Sequence, residues 1–532
     1  KKSYASYISI INDAGSDKNR FLNEILQNAD DCTYPADVVP EFSLKLEGDI
    51  FTASYNECGF TKDNVRAITA IGESTKKLLL NGEDRAIGEK GIGFKSVFGV
   101  AEEVEIHSNG FDFKLSDKMP TVPDKCEEIP DLNGTIMRYK LKDKSVMKAF
   151  SEDRIIHTCL CLRNIKVITI NNVRVTIEDI GNKRIIKIYD AGTIESLKKT
   201  YEFERYVYNF DITDQVAIEE RSSNQKTVSG HQYLACYVPP REYKTEKNTL
   251  YSGLPVPMVD CNIPLIIDAP FELTTSRDDV LECRWNDYVR NAIYKAIADL
   301  MESKKQSLKL DVLRFVGYQN QNGVTSFQIF GKKYLNSFDW LNQLKRMAIL
   351  PCLGEERFVE PGENKRIIPE IISGVVDKSS VGEISGILID TRKKSNYHGL
   401  LETLGCKRSS LNEEIAFMAS RLEWYLREEK LRTDFYKYLF DRKAEIEQRN
   451  LGSTVRAMKM FPVRTSLGTE YRSYTGNLYT HPSEVSSDDF IILDTAVMSF
   501  EICQGLIGNQ NRINELTKEV FEARYRNNLE DV

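Results

Sequence analysis

The 532-residue chain has no apolar run approaching the ~18 residues that a membrane-spanning helix needs, which excludes a helical membrane anchor within it. Its eleven cysteines are scattered, and the one close pair, Cys159 and Cys161, has no second pair to complete a zinc site. That usage also excludes a disulfide framework and leads us to expect a reducing, cytoplasmic setting, with Cys58 and Cys283 as packing thiols. The five histidines (His107, His157, His231, His398 and His481) lie in no helical phosphoacceptor box, which counts against a two-component kinase. Basic charge is not in excess. Seventy-two Lys and Arg against 79 Asp and Glu give a net charge of −7, so no overall field favours nucleic acid or an anionic membrane. The local basic stretches, Lys345–Arg346 and Arg427–Arg432, are too short or too interrupted by acids to change that. No signal-peptide pattern opens the chain, and its first residue is Lys1 rather than Met, which points to a processed chain or an excised piece. Repeats, low-complexity tracts and long linkers are absent as well.

A composition of 41% hydrophobic and 28% charged residues is that of an ordinary globular protein, and the length suits about three domains. Residues 18–31 read as a helix capped at Ser16 or Asp17, with Pro35 just beyond its end. Within it Phe21, Leu22, Ile25, Leu26 and Ala29 form an apolar stripe. Glu24, Asn28 and Asp31, at i, i+4 and i+7, share a narrow polar face.

Residues 41–55 alternate as two strands joined by Glu47-Gly48-Asp49, and YNECGF (55–60) then leads into a helical TKDNVRAITAIG. Residues 72–87 have the polar composition of a mobile segment. IGEKGIGFKSVFGVAEEVEIHS (87–108) sets Gly88, Gly91 and Gly93 ahead of a helix-capable stretch and a strand. Glycines there permit close backbone approach, and the amides of a following helix start can hold an anion. Further strands are expected at 133–142, in a hairpin at 168–180 turned by Asn171-Asn172, and at RIIKIYD, TVSGHQYLACYV and VDCNIPLIIDAPF. LTTSRDDV (273–280) precedes a long helix, and helices at 411–429 and 432–448 carry Trp424, Tyr425, Phe435, Tyr438 and Leu439 as core aromatics and aliphatics.

Four of these pieces, in this order, resemble the GHKL ATPase superfamily of gyrase, the ninety-kilodalton heat-shock chaperone, histidine kinases and MutL. FLNEILQNADD is similar to its N box and IGEKGIGFKSVFGVAEEVEI to its glycine-rich lid box. Asn133-Gly134-Thr135 is similar to the box closing the adenine pocket, and LTTSRDDV to the arginine-bearing loop of the chaperone middle domain. The motifs span about residues 15 to 290 and stand nearest the sacsin-like and no-vein-like branch.

The resemblance implies an α+β fold: a Bergerat α/β sandwich ATP-binding domain at 1–145 with a lid at about 61–87, a mixed α/β middle domain at 146–300, and an α-rich region at 301–532. It implies Glu24 as general base or orienter of the attacking water, and Asn28 completing the shell of Mg²⁺. Asp31 would lie near the nucleotide or in a salt bridge on its helix. Gly88, Gly91, Ile92, Gly93 and Phe94 would wrap the phosphates, with Lys90 and Lys95 adding charge. Ser74, Thr75 and Lys76 would be lid contacts, Thr135 would join a water network near adenine, and Arg277 would reach the γ-phosphate.

One departure stands out. Where most of the superfamily has D-x-G-x-G, this chain has Asn56-Glu57-Cys58-Gly59-Phe60. Adenine is then read by Asn56, which we favour, or by Glu57, with Gly59 in the same loop. The implied function is Mg-ATP binding and slow hydrolysis driving closure and conformational change in a chaperone-like or effector-gating protein, in antiphage defence as one context. A homodimer in the closed state and a protein client or effector would be its partners. The alternatives are a nucleotide-binding pseudo-ATPase scaffold and, less favoured by the acidic balance, a MutL-like DNA-processing ATPase.

Overall fold

Alternation of apolar residues every second position builds the largest element of the molecule, a fourteen-stranded mixed sheet. The computed structural model describes residues 18–69, 93–142, 152–192, 195–223, 229–243, 249–274, 278–321, 324–327, 330, 339–376, 382–481 and 490–530. The chain divides into two compact units, Lys1–Ser303 with Arg314–Trp340, and Lys304–Leu313 with Leu341–Val532.

In the first unit the strands are β1 (Glu41–Glu47), β2 (Ile50–Tyr55), β3 (Ala101–Ser108), β4 (Phe111–Ser116), β5 (Asp124–Lys125), β6 (Thr135–Leu141), β7 (Val167–Ile170) and β8 (Val173–Ile180). They continue as β9 (Lys183–Asp190), β10 (Ser196–Asp211), β11 (His231–Val238), β12 (Thr249–Tyr251), β13 (Pro255–Asp260) and β14 (Ile266–Asp268). Their order is β13-β12-β14-β11-β10-β9-β8-β7-β1-β2-β6-β3-β4-β5. Neighbours pair antiparallel except β1 with β7 and β12 with β14, which are parallel. Strands before and after residue 145 thus belong to one sheet and one unit, and residues 143–151 around the expected boundary lie outside the described residues. The sixteen-residue β10 had no place among the expected strands.

Helix α1 (Lys18–Asp30) lies over this sheet. Its Ile25, Leu26 and Ala29 are at most 3% exposed and share a core with Phe42, Leu44, Phe51, Ala53, Tyr55 and Tyr139 of the strands. Burying Ile25 and Leu26 contributes about 1.5–3 kcal/mol each. In register, Phe42 faces Tyr55 and Leu44 faces Ala53, which places both apolar sets on one face. The helix-capable FKSVFGV (94–100) falls largely in a 3-10 turn, Gly93–Gly99, which packs against α1 and buries Val97 and Phe98. Helices α2 (Lys62–Thr69), α3 (Glu152–Cys159), α4 (Gln215–Ser223) and α5 (Arg284–Leu308) complete the described helices of this part.

The second unit carries a five-stranded sheet from strands within 461–515 and a three-stranded sheet joining Lys365–Ile367 to Ile387–Leu388 and Lys407–Arg408. Its helices are shorter than the sequence suggests. Residues 411–448 break into Leu411–Ser420, Leu422–Leu426, Glu429–Asp441 and Lys443–Gln448, because Glu428 takes an extended backbone and Arg421 and Arg442 leave helical angles. The expected core aromatics hold: Tyr425 and Phe435 are fully buried and stack at 5.1 Å. Trp424 and Tyr438 are half-buried against the same core.

Candidate functional site

The loop after β2 and the residues entering β6 meet because two glycines let them. Gly134 has φ +95°, and a Cβ there would stand 2.3 Å from the Tyr55 carbonyl oxygen. Gly59 has φ +83°, and a Cβ there would stand 2.6 Å from Cβ of Asn109. An L side chain at either position meets both steric exclusion and an unfavourable backbone region.

This approach buries a polar chain. Glu57, 6% exposed, accepts from the Thr135 hydroxyl at 2.5 Å through Oε1 and from the Gly59 N–H at 2.8 Å through Oε2. Ser108 Oγ lies 2.5 Å from Thr135 Oγ1 and accepts the Phe60 N–H at 2.8 Å. The directions follow from supply. An ionised carboxylate only accepts, so Thr135 spends its one hydrogen on Glu57, and Ser108 must donate to Thr135. Burial pushes the Glu57 carboxyl above its ordinary range, while the bonds from Thr135 and Gly59 pull it back.

Asn56, the residue favoured as adenine reader, has its carboxamide engaged on the neighbouring backbone. Its carboxamide donates to the Val39 carbonyl and accepts the Glu41 N–H, both at 2.8 Å, closing the start of β1 against the end of β2. Glu57, in the bend that follows β2, rather than Asn56, meets Thr135.

The end of α1 adjoins this loop: the Cys58 N–H donates to the Thr33 carbonyl at 2.9 Å. On α1, Glu24 is 2% exposed, so it is no solvated helix carboxylate, and Asn28 is half-buried with its carbonyl receiving the Cys32 thiol at 3.1 Å. Asp31 falls just past the helix, half-buried, and its charge acts on the buried Arg163 guanidinium. Its neighbour Asp30, not singled out in the sequence, is 1% exposed and takes the backbone N–H groups of Arg163, Asn164 and Ile165 at 2.9–3.1 Å. Arg184 donates to the carbonyls of Leu160 and Leu162 through one guanidinium nitrogen and pairs with Asp179 through the others. The turn between α3 and β7 is therefore held by an anion at its amides and a cation at its carbonyls.

Of the other expected site residues, Phe94 is half-buried in the 3-10 turn, edge-on to Phe98, and Gly93 begins that turn. Ser74, Thr75, Lys76, Gly88, Lys90, Gly91 and Ile92 lie outside the described residues, as does Arg277. The base of the Arg277 loop is described. Leu273 bridges Val280, the Thr274 hydroxyl donates to Asp278 at 3.0 Å, and Asn286 of α5 clasps both backbone groups of Glu272. Among the described residues, no group of three His, Cys, Asp or Glu is placed to hold a metal ion. No helix among them is long and apolar enough to cross a membrane.

Sequence reasoning passed over Ser108 and Asn109. The signal was present: Asn109-Gly110 between alternating stretches marks a tight hairpin, and both residues have positive φ, 49° and 76°. That turn carries Asn109 Nδ2 to the Phe60 carbonyl at 3.0 Å, so residues 108 and 109 together take both backbone groups of Phe60.

The site thus belongs to an α+β protein with a large mixed sheet, a helix laid over it and a buried acid–hydroxyl chain where β2 ends and β6 begins. The chain is similar to Protein NO VEIN of Arabidopsis thaliana, with 48% identity over 100 residues. That match covers 19% of this chain and 4% of the plant protein. No family model matches the sequence.

Proposed function

We propose that the first unit binds Mg-ATP in a GHKL-type, Bergerat-fold site and hydrolyses it slowly to drive a conformational change. The observation that carries this reading is the Glu57–Thr135–Ser108 chain. It joins the YNECGF loop to the NGT box, the two sequence pieces that resemble the adenine-facing motifs of that superfamily. The similarity to Protein NO VEIN supports placing the chain beside the no-vein-like branch.

In this reading Glu57 takes hydrogens from the base. The donor set fits: each carboxylate oxygen keeps a lone pair after its internal bond, enough for an exocyclic amine. Glu24, buried on α1, orients or deprotonates the attacking water. Asn28 is the protein ligand toward Mg²⁺, which would take its other oxygens from phosphate and water and supply charge neutralisation there. The glycines at 88, 91 and 93 offer backbone amides to the phosphates, residues 61–87 form the lid, and Arg277 balances charge on the transferred phosphoryl group. Closure performs work only to the extent that ATP binds the closed form more tightly. Dimerisation in that state, and a client or gated effector, extend the same reading.

The test is phosphate release by the purified protein with Mg-ATP, compared with Glu24→Ala. Turnover in the wild type that disappears in the variant, with nucleotide binding retained, is expected. Equal release from both, with nucleotide bound, would instead favour a binding scaffold.

A further inference from the structure

Resting on the nucleotide reading above, we infer that Ser108 is the positioning residue that makes the base subsite a pure hydrogen-bond acceptor and so selects bases carrying an exocyclic amine. One hydroxyl holds two separate pieces: it accepts the Phe60 N–H at 2.8 Å and meets the Thr135 hydroxyl at 2.5 Å. Both Ser108 and Thr135 are 1% exposed, so no bulk water substitutes for either bond.

The consequence is directional. Phe60 N–H donates to Ser108, Ser108 to Thr135, Thr135 to Glu57, and Gly59 N–H to the other oxygen of Glu57. Every hydrogen in the chain is spent inward on the carboxylate. Nothing is left to donate outward, and a ligand reaching Glu57 has to bring its own hydrogen. A base with an amine satisfies this, and one without leaves a desolvated carboxylate unmet.

Ser108 also fixes where that carboxylate points. Its position at the end of β3, immediately before the Asn109-Gly110 turn, places it beneath the loop, and Asn109 takes the Phe60 carbonyl at 3.0 Å. Without the Ser108 hydroxyl the Thr135 oxygen loses its donor and its rotamer lock. Glu57 then keeps the Gly59 N–H, but the Thr135 hydroxyl that also holds it is free to rotate away.

The experiment compares binding of ATP and of purine riboside triphosphate, which differs from ATP only in lacking the amine, to the full chain by calorimetry. The wild type is expected to prefer ATP by about tenfold or more. Ser108→Ala, and Ser108→Cys as a variant of closer volume with only a weak donor, are expected to bring the ratio to about threefold or less while binding through the shared triphosphate persists. Melting curves check that each variant is folded. Variants that keep the wild-type ratio overturn the role of Ser108. A wild type that binds both nucleotides equally overturns amine selection yet leaves nucleotide binding standing. A wild type that binds neither removes the reading beneath the inference, and the inference with it.

Discussion

The carboxylate of Glu57 and the hydroxyl of Thr135 lie 2.5 Å apart although 78 residues separate them in sequence. The contact exists because β2 and β6 pair with Tyr55 opposite Thr135, so the end of one strand and the start of the other coincide. Replacing Glu57 by Gln presents one oxygen and one NH₂ to two donors, Thr135 O–H and Gly59 N–H. One of them is left unmet in a buried place. Nucleotide affinity is expected to fall about tenfold to a hundredfold in Glu57→Gln, with the fold retained. Titration with a fluorescent ATP analogue checks this, and an unchanged dissociation constant would remove Glu57 from the subsite.

Gly134→Ala should destabilise the first unit by about 2–4 kcal/mol, since the new methyl must displace the Tyr55 carbonyl and hold φ at +95°. Gly48→Ala is the matched control. Its φ is +67°, but nothing lies within 4 Å of the added carbon, so its cost is about 1 kcal/mol of backbone strain. Urea unfolding of both variants separates steric exclusion from backbone strain; equal costs would contradict the close approach.

The Asp30 carboxylate anchors the turn at residues 163–165. Asp30→Ala strips the acceptor from three consecutive buried or half-buried amides and is expected to cost about 3–5 kcal/mol. Asp31→Ala, one residue on and half-buried, should cost about 1 kcal/mol or less. Denaturant melts of the pair decide the matter, and comparable losses would show that the anchor is misassigned.

His157 gives the first unit an acid-sensitive joint. Burial pushes its pKa down to about 4. The Tyr251 hydroxyl lies 2.7 Å from its Nδ1 and 2.8 Å from its own carbonyl oxygen. Tyr251 has one hydrogen, so the satisfied arrangement has Nδ1–H donating to Tyr251 and Tyr251 donating to the carbonyl. The folded pKa is below the unfolded one, so this contribution is fully present above about pH 6.5 and is lost as pH falls through about 4. It amounts to about 3 kcal/mol at most, and His157→Phe should flatten the stability profile between those limits. Thermal melts from pH 4 to 7 test this; parallel profiles for variant and wild type would exclude it.

Much of the framework was legible in the sequence because it is local. Alternation in 41–55 and 168–180, with Gly48 and Asn171 at turns of positive φ, specifies hairpins that the structure contains. The apolar stripe of α1 follows from its 3.6-residue period. The polar face was read less completely, since periodicity ranks Asp31 with Glu24 and Asn28 and is silent on Asp30. Only the docking of the 163–165 turn distinguishes the two aspartates.

The loop at 55–60 shows the same division. By itself the sequence determined that a polar, glycine-bearing loop follows β2 and that Asn56 and Glu57 were its candidate acceptors. Only the tertiary structure shows their different surroundings, with the Asn56 carboxamide seated on β1 and Glu57 turned toward Thr135 and Ser108. The reason is physical: both residues lie past the end of β2, where no strand period fixes a side chain's direction, and their partners are set by tertiary contacts, 78 residues away for Thr135.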